Sequence, residues 1–435
     1  MAKKKKVEKP KEYTRRQLSH FQKQKRRQRI IFISGISIIV AVVLIVLLGW
    51  FLGEFRPMHR TVIKVKDVEF NAAYYIDLLK ILGENSQGQS LESISTNLQD
   101  NIIQDELIRQ AAQELGIIID DKEIKKTLED AGKTVNEAYV DLLRAQQLQT
   151  RVKDEYFGTQ VSVSDNQVHM MAMLVESESV ALEVRDKFMN GDDFMALAEE
   201  YAQNYYSKNI NKGDYGWHPR EILIDRLGSF IPIDFAFGAE PGVLSAPLSD
   251  NESYKQHGYW LIKILEKNEE EESAQVQALL LSSEEQALDF KARLESGDNL
   301  SALADQYSQY SPSKEKHGEL GLITKSASDN TTEISKAFDG YVFDPVTEIG
   351  KWSNPIHDDI FYTQGGCWLV KVVEKENNRK LSDDDRKSLI QKAYDEWFNQ
   401  LWTNYAVDID TSGLTEEIRL WAVERANKEM QVVGG

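Results

Sequence analysis

An internal repeat in the second half of the chain constrains the fold more than any other feature of the sequence. The segment GDDFMALAEEYAQ, which begins at Gly191, matches GDNLSALADQYSQ, which begins at Gly297, at an offset of 106 residues. Each copy ends in an apolar segment, GYWLIKILEK from Gly258 or GCWLVKVVEK from Gly366. The order strand, two helices, loop and final strand predicts an α+β fold with two tandem antiparallel-sheet domains, over residues 165–268 and 273–376.

A long apolar run lies near the N-terminus. Residues 30–53 form a run of 24 residues without a charge, enough at about 1.5 Å per residue for a helix to cross about 30 Å of hydrocarbon. The run lacks the small-residue cleavage site of a signal peptide, so it predicts a single transmembrane helix and a lipid bilayer as partner. Residues 1–29 hold 13 Lys or Arg against Glu8 and Glu12. This excess predicts a cytoplasmic tail, with the body of the chain on the outer face of the cell membrane.

Charge and cysteine content exclude several classes of function. The residues after Gly53 include 39 basic and 68 acidic side chains, a formal charge of −29, so we expect no nucleic acid partner for the body. The basic tail has two interpretations, a topology signal that also attracts anionic lipid or an arm that contacts RNA, and topology explains it better. Cys367 is the only cysteine, which excludes an internal disulfide and a metal site built on several thiolates. We expect no metal and no cofactor.

Helical patterns lie on both sides of the repeats. Residues 61–160 begin with a short β-branched strand, and Asn71 is the predicted N-cap of the first of several amphipathic helices. Residues 380–435 predict two further helices. These carry four large aromatic side chains that must pack on something, Trp397, Phe398, Trp402 and Trp421. The most economical partner is the helical module of residues 61–160.

Several short motifs resemble the extracytoplasmic foldases of the SurA, PrsA and PpiD type. In the helical module the similarity rests on VIKVKDVEF and on LIRQAAQELGIIIDDKEI. In each repeat it rests on the block A-L-A-x-x-Y-x-Q, then G-[DE]-x-G, then a strand ending in [IV]-K-[IV]-[LV]-E-K. The resemblance implies a helical chaperone module, completed by the C-terminal helices, and two parvulin-type prolyl isomerase domains. It also implies unfolded or newly translocated polypeptides as partners.

The resemblance also implies a set of catalytic positions, at which this chain departs from the family. Parvulins carry two histidines and a cysteine or aspartate around a proline pocket. The first copy has Ala172, Trp260 and Asn204 at these positions, and the second copy has Ala278, Trp368 and Tyr310. Three nearby histidines are not expected to replace them. Strand alternation points His169 to the opposite face, and His218 and His317 flank loops where exposed side chains are expected.

The changed positions predict isomerase activity that is weak or lost. Six aromatic residues are candidate substrate-binding residues, namely Trp217, Phe230, Phe235, Phe237, Trp260 and Trp368. The two tryptophans that replace histidine have two interpretations, either as core residues that fill the old pocket or as walls of a groove for apolar segments. We therefore expect a membrane-anchored chaperone or foldase. The alternatives are an active peptidyl-prolyl cis-trans isomerase and an adaptor that grips one fixed membrane partner.

Overall fold

The computed structural model describes residues 15–86, 88–325 and 335–433. The chain divides into two compact units. The first unit combines Met1–Thr159 with Ala393–Gly435, and the second is Gln160–Lys392. The mixture of helices with antiparallel sheet confirms the α+β class that the repeat predicted.

The regular elements of the described residues follow one another along the chain in three groups. Those before the repeats are α1 (Arg15–Trp50), α2 (Arg56–Met58), β1 (Thr61–Val65), β2 (Val68–Asn71), α3 (Ala72–Asn85), α4 (Leu91–Glu114), α5 (Asp121–Asp130), α6 (Glu137–Arg151) and α7 (Gly158–Gln160). The first copy holds β3 (Ser164–Val175), α8 (Glu178–Met189), α9 (Phe194–Tyr201), β4 (Asp214–Pro219), α10 (Arg220–Leu227), α11 (Ile231–Gly238) and β5 (Leu248–Asn268). The second holds β6 (Ser273–Leu281), α12 (Glu284–Glu295), α13 (Leu300–Tyr307), α14 (Ser311–Glu315), β7 (Glu319–Thr324), α15 (Lys336–Val342) and β8 (Ile356–Lys380). The chain continues with α16 (Asp383–Tyr405), β9 (Ile409–Asp410) and α17 (Glu416–Val433).

One helical stretch of the described residues is long and apolar enough to cross a membrane. It covers Phe32–Met58, with a mean hydropathy of 2.9, and none of its apolar window is buried by other parts of the protein. A signal sequence near an N-terminus can meet the same criteria of length and composition. The stretch is thus a candidate membrane span.

The core of the first unit lies between α3, α4, α6 and α17. The side chain of Asn71 caps α3 by accepting a hydrogen bond from the Tyr74 backbone N–H at 2.9 Å, which confirms the predicted start of this helix. Lys80 of α3 forms an ion pair with Glu429 of α17 at 2.9 Å. β1 is the middle strand of a small sheet, between β2 and β9. Helices and strands from both ends of the chain therefore share this core.

The second unit contains one six-stranded antiparallel sheet in the order β4-β3-β8-β5-β6-β7. We call β3, β4 and α8–α11 lobe 1, and β6, β7 and α12–α15 lobe 2. The last part of β8 pairs with β3 of lobe 1, where Val370 lies opposite Ala172. The last part of β5 pairs with β6 of lobe 2, where Ile262 lies opposite Ala278. The two copies therefore exchange their final strands.

The long strands β5 and β8 also pair with each other and cross between the lobes. Leu248 at the start of β5 lies opposite Trp368, and Trp260 lies opposite Ile356 at the start of β8. Between these contacts run residues 250–258 and 358–366, which we call the crossing segments. The repeat predicted two tandem sheets over residues 165–268 and 273–376, and the single shared sheet differs from that expectation. Nothing local marks the difference, because alternation of apolar residues fixes which face is buried but does not select the partner strand.

We predict that Gly413→Ala disrupts the first unit. A Cβ at this position would lie 2.3 Å from the carbonyl oxygen of Thr61 and 2.9 Å from the Cα of Val62, and backbone atoms of β1 cannot move away cheaply. We expect the free energy of unfolding to fall by about 2 kcal/mol, measured by denaturant titration of the full chain in detergent. The matched control is Gly158→Ala in the same unit, where the new Cβ would meet its nearest atom at 3.4 Å. Equal effects of the two substitutions would contradict this account of the packing.

Candidate functional site

The core of lobe 1 contains a tryptophan from the second copy, and we call the space that its indole fills the indole pocket of lobe 1. The side chain of Trp368 is 1% exposed, and its Nε1–H donates a hydrogen bond to Oδ2 of Asp250 at 2.9 Å. The same oxygen accepts hydrogen bonds from the hydroxyls of Ser229 and Ser253, each at 2.7 Å. Burial by itself would raise the pKa of Asp250, but these donors together lower it to about 2. The carboxylate is thus charged, buried and fully supplied with donors.

The pocket of lobe 2 is filled in the same way by a tryptophan from the first copy. Trp260 is 1% exposed and donates from Nε1 to Oδ2 of Asp358 at 2.9 Å. The rings of Tyr310, Phe338 and Phe361 surround its indole edge to face, with centroids at 4.9 to 5.4 Å. Both tryptophans are therefore core residues here, and neither lines an open groove.

The other positions to which the resemblance assigns catalytic groups make structural contacts in both lobes. Ala172 and Ala278 are fully buried on β3 and β6, the second strand from each edge of the sheet. Asn204 accepts a hydrogen bond from the backbone N–H of Leu174 at 3.1 Å and donates to the hydroxyl of Ser207 at 2.7 Å. Its amide joins the loop after α9 to β3 and is committed to that contact.

The predicted apolar walls are only partly open to solvent. Phe235 and Phe237 are half-buried against the same core cluster as Trp368. Trp217 lies under the guanidinium of Arg379, 4.1 Å from the ring centroid. Phe230, 60% exposed, is the open member of this set. Lobe 1 therefore presents single apolar side chains around a pocket whose centre is already occupied.

The structure corrects one expectation about the histidines. His218 was expected to be an exposed loop residue, but it lies on β4, its side chain is 13% exposed, and its Nδ1 lies 2.8 Å from the buried carboxylate of Asp385. His317 is exposed, as expected, and bonds to Asp305 at 2.7 Å. His169 contacts Asp214 at 2.8 Å. Each of the three is held by a carboxylate that lies outside the indole pockets.

A groove that sequence reasoning missed lies in the first unit. It has a volume of about 1120 Å³ and is bordered by β2, α3, α4, α5, α6 and the loops between them. Its apolar lining consists of Val68, Phe70, Ile117, Ile118, Ile119, Val135, Val140 and Leu148. Ile118 and Val135 are 69% and 40% exposed, so part of this lining faces solvent. The groove combines an open mouth with an apolar floor.

Charged side chains form the walls of the groove, with an excess of acidic groups. The acidic members are Glu69, Asp77, Glu106, Asp121, Glu137 and Asp141, and the basic members are Arg109, Lys125 and Arg144. Three ion pairs hold the wall in place. Glu106 accepts two hydrogen bonds from Arg109, at 2.6 and 2.7 Å, and Arg144 bridges Asp121 and Asp141. Carboxylates of the groove wall thus neutralise both arginines. The groove is left with a net negative charge.

Asp105 lies in a small cavity that adjoins the groove, beside Tyr74 and Asp141. Burial, together with repulsion from the carboxylate of Asp141, raises the pKa of Asp105 to about 7. Burial also raises the pKa of Asp141, against the opposing effect of Arg144. Within the described ranges, no group of three or more His, Cys, Asp or Glu side chains is arranged to hold a metal ion.

Comparison with known proteins shows similarity of part of the chain to a prolyl isomerase domain. Residues 259–376 match the sequence model of the PPIC-type PPIase domain. The matched stretch takes in the last part of β5 and the second copy as far as Glu376 of β8. The second copy is thus similar in sequence to a PPIC-type domain.

The curated relatives are foldases and chaperones. The foldase protein PrsA of Caldanaerobacter subterraneus subsp. tengcongensis is 26% identical over 198 residues, 42% of this chain and 61% of that protein. The chaperone SurA of Chromohalobacter salexigens is 22% identical over 381 residues, 74% of this chain and 80% of its own length. A crystal structure of the peptidylprolyl isomerase PrsA from Bacillus cereus covers 85% of this chain and 93% of its own, at 12% identity and a TM-score of 0.25. The chain thus spans about three fifths of the length of the first of these relatives.

We predict that Trp368→Phe weakens lobe 1, although residue 368 belongs to the second copy. The substitution removes the indole N–H that Asp250 accepts, and losing a donor to a buried charge costs about 1 to 3 kcal/mol. Amide hydrogen exchange should therefore accelerate in β3 and remain slow in β6. The matched variant Trp260→Phe should give the reverse pattern. Faster exchange in β6 on substitution of Trp368 would contradict the strand exchange.

We predict that Asp105→Asn stabilises the chain at alkaline pH. Because the folded pKa of Asp105, about 7, lies above an unfolded value of about 4, the native state loses stability as pH rises from about 4 to about 7. The variant lacks this loss, so its advantage in unfolding free energy should grow by about 2 kcal/mol between pH 5 and pH 8. The control is Asp100→Asn, an exposed position on the same helix. A pH-independent difference would contradict the burial of a protonated Asp105.

Proposed function

We propose that this chain is a membrane-anchored extracytoplasmic chaperone of the foldase type, which binds unfolded polypeptides and whose parvulin-like lobes have weak or no prolyl isomerase activity. The observation that carries the proposal is the pair of buried indoles of Trp260 and Trp368, which occupy both lobe pockets at positions where the family has histidine. The kinship with PrsA and SurA supports polypeptide binding as the retained activity.

The energetics of prolyl isomerisation explain the expected loss of activity. Rotation about an Xaa-Pro bond faces a barrier of about 20 kcal/mol, and an enzyme lowers it only by binding the twisted amide more tightly than the planar one. Such binding needs room for the proline ring and fixed polar partners. In both lobes the room is taken by indole, and the indole N–H is committed to Asp250 or Asp358.

The groove of the first unit is the proposed client site. Its apolar floor suits the hydrophobic side chains of an unfolded segment, since each buried methylene contributes about 0.8 kcal/mol. Its acidic walls favour segments that also carry Lys or Arg, and the formal charge of −29 on the residues after Gly53 acts in the same direction over a longer range. Reversible binding there would delay aggregation without a chemical step.

The candidate membrane span completes the proposal. If Phe32–Met58 crosses the cell membrane with the basic tail inside, the residues after the span face outward and are tethered at the lipid surface. A tether of this kind raises the local concentration of the chaperone where translocated chains emerge. The anchor would supply location, and the groove would supply affinity.

An aggregation assay tests the client site. The full chain in detergent or liposomes should suppress aggregation of an unrelated unfolded protein. Ile118→Ser combined with Val135→Ser should raise the concentration needed for half-suppression about tenfold, because two exposed apolar contacts of the groove are lost. The matched control is Val407→Ser, since Val407 is 90% exposed in the same unit and does not line the groove. No suppression by the unmodified chain would overturn the chaperone and favour an adaptor of one partner.

A protease-coupled assay on an Ala-Pro peptide tests the second part of the proposal. We expect the rate of cis-trans exchange to stay at the uncatalysed value. Acceleration that scales with protein concentration, and that falls in Phe230→Ala or Phe237→Ala, would establish an active isomerase instead. The two assays are independent, so either part of the proposal can fail alone.

A further inference from the structure

The docking site of the final strand is the same in the two lobes. In lobe 1 the backbone of Ser245 donates to the carbonyl of Val370 at 2.8 Å, and the hydroxyl of Ser245 accepts from the Val370 N–H at 3.0 Å. In lobe 2 Ser353 makes the same two contacts with Ile262, at 2.8 and 2.9 Å. The partners are related by one offset of 108 residues. Each lobe therefore recognises a final strand by backbone contacts that both strands offer.

The side chains that fill the pockets follow the same rule. Trp368 and Trp260 differ by 108 residues, and so do their acceptors Asp358 and Asp250. The indole-to-carboxylate distance is 2.9 Å in both lobes. If each copy kept its own final strand, Trp260 would meet Asp250 and Trp368 would meet Asp358, and both hydrogen bonds would be made again. The serine contacts and the indole bonds can therefore form whether each lobe binds the final strand of the other copy or that of its own copy.

A second group of contacts exists only in the exchanged pairing, at the crossing segments. The ammonium of Lys255, 1% exposed, donates to the carbonyl of Gly365, and the hydroxyl of Thr363 donates to the carbonyl of His257. These two bonds are also related by the offset of 108 residues, so they lie across a local twofold axis. Burial lowers the pKa of Lys255 to about 8, which means that its ammonium is held at a cost. The crossing contacts therefore distinguish the exchanged form from a form in which each copy keeps its own strand.

We propose that the final strands are interchangeable within one chain, so that the protein has a second native pairing in which each lobe closes on the strand of its own copy. The two pairings share the serine contacts, the indole bonds and the pairing of each final strand with a first strand. They differ at residues 250–258 and 358–366 and in the contacts between the lobes, such as the hydrogen bond from Ser179 to Glu285 at 2.7 Å. In the second pairing the crossing segments become turns, and the two lobes are joined by the short connection between β5 and β6 alone. The protein thereby has a compact form and a form with separable lobes.

Cysteine pairs on a background of Cys367→Ala report the pairing directly. In the exchanged form Met171 lies opposite Lys371, and Gln277 lies opposite Lys263. The offset predicts that the second form places Met171 opposite Lys263 and Gln277 opposite Lys371. All four side chains are half-buried, so the reporters are matched in environment. The exchanged form is read by Met171→Cys with Lys371→Cys, and by Gln277→Cys with Lys263→Cys.

The second form is read by Met171→Cys with Lys263→Cys, and by Gln277→Cys with Lys371→Cys. Each full-length variant is refolded from denaturant at low concentration in detergent and then oxidised, and intrachain disulfides are located by peptide mass spectrometry. We expect disulfides in the cysteine pairs that read the exchanged form and in those that read the second form, with a larger fraction of chains linked in the exchanged form. If the exchanged reporters oxidise fully and the others remain below about 0.1% of chains, the lower limit for a populated minor state, the proposal is overturned. Disulfides between different chains in place of intrachain ones would also overturn it.

A change in the crossing segments should shift the ratio of the two forms. Lys255→Met with Thr363→Val removes the two bonds found only in the exchanged pairing, and we expect the fraction of the second form to rise about tenfold. The control is Ser245→Ala, which removes a contact that lobe 1 makes in both pairings and should leave the ratio unchanged. An equal shift in the control, or none in the double variant, would refute the assignment of the crossing bonds.

Discussion

Backbone pairing between β5 and β8 holds the second unit together, because each of these strands begins in one lobe and ends in the other. A strand interior must satisfy its N–H and carbonyl groups on both sides. β8 satisfies these groups along one side of β3, and β5 satisfies them along one side of β6. Neither lobe can complete its sheet from its own copy in this pairing. A substitution in one copy therefore acts on the packing of the other.

The indole of each final strand has two effects at once. It removes the polar group that the resemblance assigns to the proline pocket, and it supplies a donor to a buried carboxylate. A buried charge with a missing donor is strongly destabilising, so the pocket cannot be emptied cheaply for a ligand. The polar groups of the groove in the first unit are instead arranged at an open mouth. The second unit thus fills its indole pockets with its own side chains, whereas the groove of the first unit is open to a ligand.

The repeat was sufficient to predict the α+β class, and the Asn71 cap followed from local chemistry. The strand exchange could not be predicted, because both copies present the same docking groups and a one-dimensional pattern does not specify which partner is taken. Burial of Trp260 and Trp368 was left open because it depends on Asp250 and Asp358, which the family pattern does not mark. His218 was placed wrongly, since its partner Asp385 lies far along the chain. The groove escaped notice because its lining comes from several elements, each of which has an ordinary amphipathic sequence.

The strand exchange also has a consequence for the order in which the sheet can form during synthesis. Chains are made and exported from the N-terminus, and domains generally fold as they appear. β3 emerges early, yet the strand that covers it in this pairing follows only after the whole second copy has passed. Until then the first copy has its own final strand at hand, which arrives first and fits the same site. The first copy therefore meets its own final strand before the strand of the second copy, and β3 lacks the partner seen in this structure until the second copy has been made.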